Sequence, residues 1–153
     1  MRIRTYEIGD TEKIIKLFYD TVHEVNIRDY TKAQVEAWAP ANMEVEVWME
    51  RLNSKLTYVA EAEGEIVGFA ELESTGHIDC FYCHKDFQGK GIGTRILQEI
   101  ESKAKSLGIN KLWTEASITA KPFFETKGFN LVKQQEVARR EQTFINFVME
   151  KTL

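Results

Sequence analysis

Proline is scarce in this chain: Pro40 and Pro122 are its two prolines. No proline-rich linker or polyproline arm is therefore present, and no low-complexity tract or internal repeat divides the sequence. Cysteine is equally rare, with Cys80 and Cys83 alone. That excludes a disulfide framework, and a chain of 153 residues needs none, since it buries about 70% of its unfolded surface. No apolar run approaches the roughly 20 residues that span a bilayer. Excess positive charge is missing as well; the net charge of −4 argues against a general nucleic-acid binder. The opening Met1-Arg2-Ile3-Arg4-Thr5-Tyr6 goes straight into strand-like alternation, without an apolar leader. These absences lead us to expect one cytoplasmic domain over residues 1–153, with neither membrane nor nucleic acid among its partners.

The two cysteines fall in Cys80-Phe81-Tyr82-Cys83-His84, which has the spacing of a c-type haem attachment site. The setting is wrong for that use. Residues i and i+3 of a strand point to opposite faces, so the two sulfurs cannot share a ligand. Buried structural cysteines are expected instead, and no metal site.

Periodicity divides the remainder into elements. Arg2 to Ile8 reads as a strand ended by Gly9-Asp10, with Asp10 as the N-cap of a helix carrying Ile14, Ile15, Leu17, Phe18, Val22 and Val25. Thr31 caps a short helix that ends near Pro40, and Met43 to Leu52 forms a third. Leu56–Ala62 and Ile66–Leu72 are strands of a hairpin around Glu63-Gly64-Glu65. Ile78–Cys83 is nearly continuously apolar, which predicts burial on both faces. Ile92, Ile96, Leu97, Ile100, Ala104 and Leu107 recur at helical spacing. A strand over Lys111–Ala116 and a helix over about Thr119–Lys127 follow, with Pro122 tolerated in the first turn and Gly128 just past the end. Phe129–Arg139 and Thr143–Lys151 complete the set. The order predicts an α/β fold with a mixed, mostly antiparallel central sheet flanked by helices.

One stretch carries chemistry. Gln88-Gly89-Lys90-Gly91-Ile92-Gly93-Thr94 precedes the longest helix. Glycines there let backbone approach backbone, and the unpaired N–H groups of a helix start make an anion site of the pyrophosphate-binding kind. Lys90 adds a mobile positive charge, and Lys85 and Arg95 extend it into a local basic patch. Neither a P-loop nor the Gly-x-Gly-x-x-Gly fingerprint is present. A tight strand-to-helix turn with no ligand is the alternative reading.

The pattern Gln88-x-x-Gly91-x-Gly93 after a hydrophobic strand resembles motif A of the GNAT superfamily of acetyl-CoA-dependent N-acetyltransferases. Downstream, Phe124-Glu125-x-x-Gly128-Phe129 looks like the helix with which those enzymes close over the thiol end of the cofactor. The stretch from Ser117 to Gln135 resembles the bacterial YafP-type proteins. The resemblance implies acetyl-CoA as co-substrate, with its pyrophosphate on Gln88, Gly89, Lys90, Gly91, Ile92, Gly93 and Thr94. Phe81, Tyr82 and Cys83 before the loop, and Ser117, Phe123 and Phe124 after it, would then follow the cofactor. It also implies that the strands at 78–83 and 111–116 splay apart to admit pantetheine.

The implied reaction is attack by a primary amine on the thioester in a ternary complex. A free alkylammonium titrates near 10.4, so deprotonating it at neutral pH costs about 4.6 kcal/mol. By resemblance a backbone N–H near Cys83 stabilises the oxyanion. His77 is the leading base candidate, because histone-type members place a glutamate at the matching position and imidazole suits neutral pH. A partly exposed strand-end histidine with no such role is the alternative. Asp79 is a second candidate, and Glu71, Glu73 and Glu115 are expected to act through water if at all. Many members place a tyrosine acid where this chain has Phe124, which has no proton to give; Ser117 or Tyr82 is the expected substitute. His23, Tyr30, Trp38 and Trp48 border the expected acceptor cleft, or are simply core. The partner expected is a small-molecule or peptide amine, and a homodimer is compatible with the sequence. The competing reading is a non-catalytic acetyl-CoA sensor or partner module.

Overall fold

The computed structural model describes Met1–Leu153 throughout. Strand β1 (Arg2–Thr5) leads through a short 3-10 turn (Ile8–Asp10) into helix α1 (Thr11–Glu24). Helices α2 (Lys32–Trp38) and α3 (Val45–Asn53) follow, then strands β2 (Leu56–Ala62), β3 (Glu65–Leu72) and β4 (His77–Cys83). Helix α4 (Ile92–Ser106), strand β5 (Lys111–Ser117), helix α5 (Lys121–Thr126) and strands β6 (Asn130–Arg139) and β7 (Gln142–Thr152) complete the chain.

The first strand is shorter than its alternation suggests, and Asp10 is not a cap. It has helical dihedrals and accepts no hydrogen bond from the start of α1. Its carboxylate instead accepts from the Glu7 N–H at 2.8 Å and pairs with Arg4, which ties β1 to the turn. Thr31 behaves as expected: its hydroxyl accepts from the Gln34 N–H at 3.1 Å, and Gln34 returns the bond to the Thr31 N–H at 2.8 Å.

The sheet runs β1-β2-β3-β4-β5-β7-β6, with only β4 and β5 parallel. Its last strand is therefore not at the edge: β7 lies between β5 and β6. Each face carries its own core. On one, Ile92, Ile96 and Ile100 of α4 pack on Val67, Ala70 and Ile78. Gly68 permits this approach; a Cβ there would lie 2.8 Å from Ile96 Cδ1. On the other, Ile14, Phe18 and Val22 of α1, with Val35 and Leu52, cover Val59, Phe69 and Phe144.

β4 departs from its apolar reading. Only Ile78 and Cys80 are buried, Asp79 is exposed, and Phe81 to Cys83 are half-buried. The neighbouring strand leaves it part-way along, and the apolar side chains line the gap. Cys80 belongs to one core and Cys83 packs against the other, so their sulfurs point to opposite faces.

Candidate active site

β4 and β5 pair only at His77–Trp113 and Ile78–Thr114. The Thr114 hydroxyl closes this rung by donating to the Ile78 carbonyl at 2.9 Å. Beyond it the strands diverge, while on its other edge β4 stays paired with β3 as far as Gly68–Cys83. Antiparallel partners exchange hydrogen bonds at alternate residues. Because the His84 N–H donates to the Val67 carbonyl, it is Tyr82 that pairs with Phe69. The N–H groups of Phe81 and Cys83 therefore point away from β3, into the gap. A cavity of about 370 Å³ fills that gap and continues over the glycine loop.

The loop is built to present donors. No main-chain N–H from Gln88 to Thr94 donates to a main-chain carbonyl. Gly91 takes φ +79, which a side chain resists, and starts α4 from a left-handed residue. Gly93 allows contact instead: a Cβ would sit 3.0 Å from the Phe123 ring. The Gln88 amide folds back to donate to the carbonyls of Cys83 (2.8 Å) and His84 (3.3 Å), bracing loop against strand.

Of the residues expected along a cofactor, Phe81, Tyr82, Cys83, Gln88, Gly89, Gly91, Ile92, Gly93, Thr94, Ser117, Phe123 and Phe124 all line this cavity. Lys90 does not; its ammonium lies over the Phe87 ring, 5.1 Å from the centroid. Lys85 is likewise turned aside, to Glu24 at 2.8 Å. Phe124 is a buried wall, packed on Phe81, Phe123 and Phe129.

A second cavity of about 250 Å³ lies on the α1–α2 side and shares Trp38, Asp79, Tyr82, Glu115 and Ser117 with the first. Tyr30 and Trp38 line it, but Trp48 is core against Phe18 and Phe69. His23 lies outside both cavities, stacked on Tyr19 with its Nε2 bonded to the Ala39 carbonyl at 2.8 Å. Tyr30 also braces: its hydroxyl donates to the Ile145 carbonyl (2.7 Å) and accepts from the Ile118 N–H (2.9 Å).

His77 stands apart from both cavities. Its Nδ1 meets Glu73, its Nε2 meets Glu115, and Trp113 stacks on the ring at 4.1 Å. Burial lowers its pKa, but the two carboxylates outweigh that and the net shift is upward. With a carboxylate on each ring nitrogen, neither nitrogen is left to face an incoming amine. Six residues of strand separate it from Cys83, roughly 20 Å. What His77 does contact is Glu115, which reaches the shared wall.

Asp79 sits in a charged cluster. Burial pushes its pKa up, yet Lys55, Arg51 and His77 together bring it below the ordinary value. Arg51 also donates to buried Glu71 at 3.1 Å, whose own pKa burial raises. Donor atoms of Glu71, Asp79 and Cys80 lie within 4.8 Å of one another, a spacing that a metal ion could bridge. Arg51 and Lys55 already supply positive charge there, and burial holds the Cys80 thiol protonated. Tyr82 is also kept protonated, chiefly by burial. Ser117 accepts from the Ala120 N–H at 3.0 Å, as expected of a residue before a helix, and its hydroxyl proton remains free. Thr21, Asn26, Arg51, Arg139 and Asn146 line the cavities without any sequence signal. Each comes from an element distant in the chain and is selected by the fold alone.

This geometry has a family. Residues 26–153 match the model of the acetyltransferase (GNAT) domain. The chain belongs to the GNAT family of acetyltransferases. It is 32% identical over 150 residues to the N-acetyltransferase YafP of Escherichia coli, covering 97% of this chain and 94% of the relative. The crystal structure of a GCN5-related N-acetyltransferase from Rhodopseudomonas palustris superposes with a TM-score of 0.95 at 31% identity, covering 99% of this chain and 95% of that one. The PaiA N-acetyltransferase of Thermoplasma acidophilum, crystallised with coenzyme A, shares the fold with a TM-score of 0.82 at 21% identity, over 99% and 98% of the two chains. The parted strands and glycine loop of this acetyltransferase thus have their setting in the GNAT fold. None of its helices is long and apolar enough to cross a membrane.

Proposed function

We propose that this acetyltransferase moves the acetyl group of acetyl-CoA onto a primary amine of a small molecule or peptide while both substrates are bound. The observation that carries the reading is the junction of the two cavities, whose common wall includes Asp79, Tyr82, Glu115 and Ser117. The N–H groups of Gln88 to Thr94, which no main-chain carbonyl takes and of which only that of Gly93 meets the Cys83 sulfur, suit a diphosphate. The Cys83 N–H suits the oxyanion that forms on the thioester oxygen.

The amine enters through the second cavity as an ammonium. Asp79 Oδ2 and Glu115 Oε1 are committed to Lys55 and His77, which leaves Oδ1 and Oε2 to hold it. Asp79 is a weak base with a lowered pKa, so it acts by charge. Glu115 takes the proton, directly or through water, with His77 fixing its carboxylate. The nitrogen then attacks the carbonyl carbon, the C–N bond forms, and the C–S bond breaks. The second proton of the nitrogen, lost as the amide forms, reaches the thiolate through the Tyr82 or Ser117 hydroxyl, which gives one proton and takes the other, or passes to water when the thiolate leaves unaided, as thiols that titrate near 8.5 can. Phe124 takes no part.

Free-thiol release measured over a panel of primary amines tests this, with the acetylated amine identified by mass spectrometry. We expect thiol and acetylated amine in equal amounts. Acetyl-CoA binding without turnover of any amine would favour a non-catalytic sensor, the reading that Phe124 supports.

A further inference from the structure

The second cavity is polarised along its length. Its inner end, at the shared wall, carries the negative charge: the free oxygens of Asp79 and Glu115, with Asn146 Oδ1, which is buried without a partner, and the neutral hydroxyls of Tyr82 and Ser117 beside them. Asn146 pairs with Ser117 across β5 and β7, which fixes it at this end. The outer end offers a donor, Arg139, the last residue of β6. Arg139 pairs with Gln142, four residues along β7 from Asn146, or roughly 14 Å of strand. Its long side chain lines the cavity together with Tyr82, Val137 and Phe144, which shortens that gap.

Arg139 differs from Arg51 and Arg140 in having no partner within the protein. Arg51, the other guanidinium of the cavity, is neutralised by Glu71 and Asp79. Arg140 donates to the Ala37 carbonyl at 2.5 Å and fastens the β6–β7 turn to the end of α2. The Arg139 side chain makes neither an ion pair nor a hydrogen bond. A guanidinium presents a planar fork that suits a carboxylate. Between the two ends the walls are aromatic: Phe18, Tyr30, Trp38, Tyr82 and Phe144. At about 250 Å³ the space holds a ring with short substituents.

Resting on the acetyl-transfer reading, we infer that the acceptor is a small arylalkyl primary amine that also carries a carboxylate, its ring between the aromatic walls, its ammonium at Asp79 and Glu115, and its carboxylate on Arg139. The two polar groups lie at opposite ends of the ring rather than on one carbon, because the acceptor end and donor end of the cavity are separated by the width of Val137 and Phe144.

The test pairs 4-(aminomethyl)benzoate with its neutral twin, 4-(aminomethyl)benzamide. Wild type should show kcat/KM about tenfold or more higher for the benzoate. Arg139→Gln should bring that ratio to about one, while Lys133→Gln, on the same strand outside both cavities, should leave it unchanged. Equal use of the two amines by wild type, or a preference that survives Arg139→Gln, would overturn the inference. Calorimetry with 4-methylbenzoate, which has ring and anion but no amine, separates it from the transfer reading. Binding to wild type that is lost in Arg139→Gln supports the anion site even if no amine is acetylated, and absence of binding to wild type overturns it.

Discussion

His77 shows how one side chain can touch a site's wall residue without entering the site. It joins Glu73 at the end of β3 to Glu115 on β5, and so holds a carboxylate at the cavity wall. Because its folded pKa is raised, its imidazolium contributes stability in full below the unfolded value, about 6.5, and loses it as pH rises through the folded value. His77→Gln should therefore melt below wild type at about pH 6, with the gap shrinking as pH is raised above neutral. Thermal melts over this range check it; a gap that stays constant or widens with pH would contradict the ion-paired assignment. Gly91 makes a complementary case. Space around its missing Cβ is open, so a side chain there meets nothing but the strain of φ +79. Gly91→Glu should fold, melting somewhat lower, yet show no calorimetric signal with acetyl-CoA, since its carboxylate would face the diphosphate. Undiminished affinity would remove the loop from cofactor binding. The glycine spacing was legible in the sequence because it is a local signal. The role of His77 was not, because nothing local says where along β4 its neighbour departs.

Among the elements, the parting of β4 from β5 sets everything else. Two rungs of pairing hold the strands at one end, and the site occupies the other. Helix α4 must then lie close on β3 so that its first turn reaches the gap, and Gly68 is what allows it. Gly68→Val should cost about 1–3 kcal/mol in chemical denaturation, by overpacking against Ile92 and Ile96. A neutral change would mean that α4 sits less tightly than its contacts indicate. Most elements could be read from periodicity, including the β2–β3 hairpin and the capped start of α2. The N-terminal boundary could not, since Asp10 spends its carboxylate on Arg4 and the Glu7 amide rather than on a helix start. Burial of β4 on both faces was also a wrong expectation. An apolar run lining a cleft and one inside a core have the same composition.

At the scale of the molecule, two cavities meet where the sheet opens, one in the gap itself and one on the α1–α2 side. The first is made largely of one continuous region, from Phe81 to Thr94, with a second segment from Thr114 to Lys127, and both were visible as motifs. The second gathers Phe18, Arg51, Arg139 and Asn146 from α1, α3, β6 and β7. It exists because β7 inserts between β5 and β6, a crossing that no local pattern announces. The transfer we propose holds both substrates at once, one in each cavity, and passes the acetyl group across the wall they share. Two-substrate initial-rate kinetics, with acetyl-CoA and an amine acceptor varied together, test that claim most directly. The account predicts double-reciprocal lines that intersect and no acetylated enzyme by mass spectrometry; parallel lines with an acetylated intermediate would contradict it.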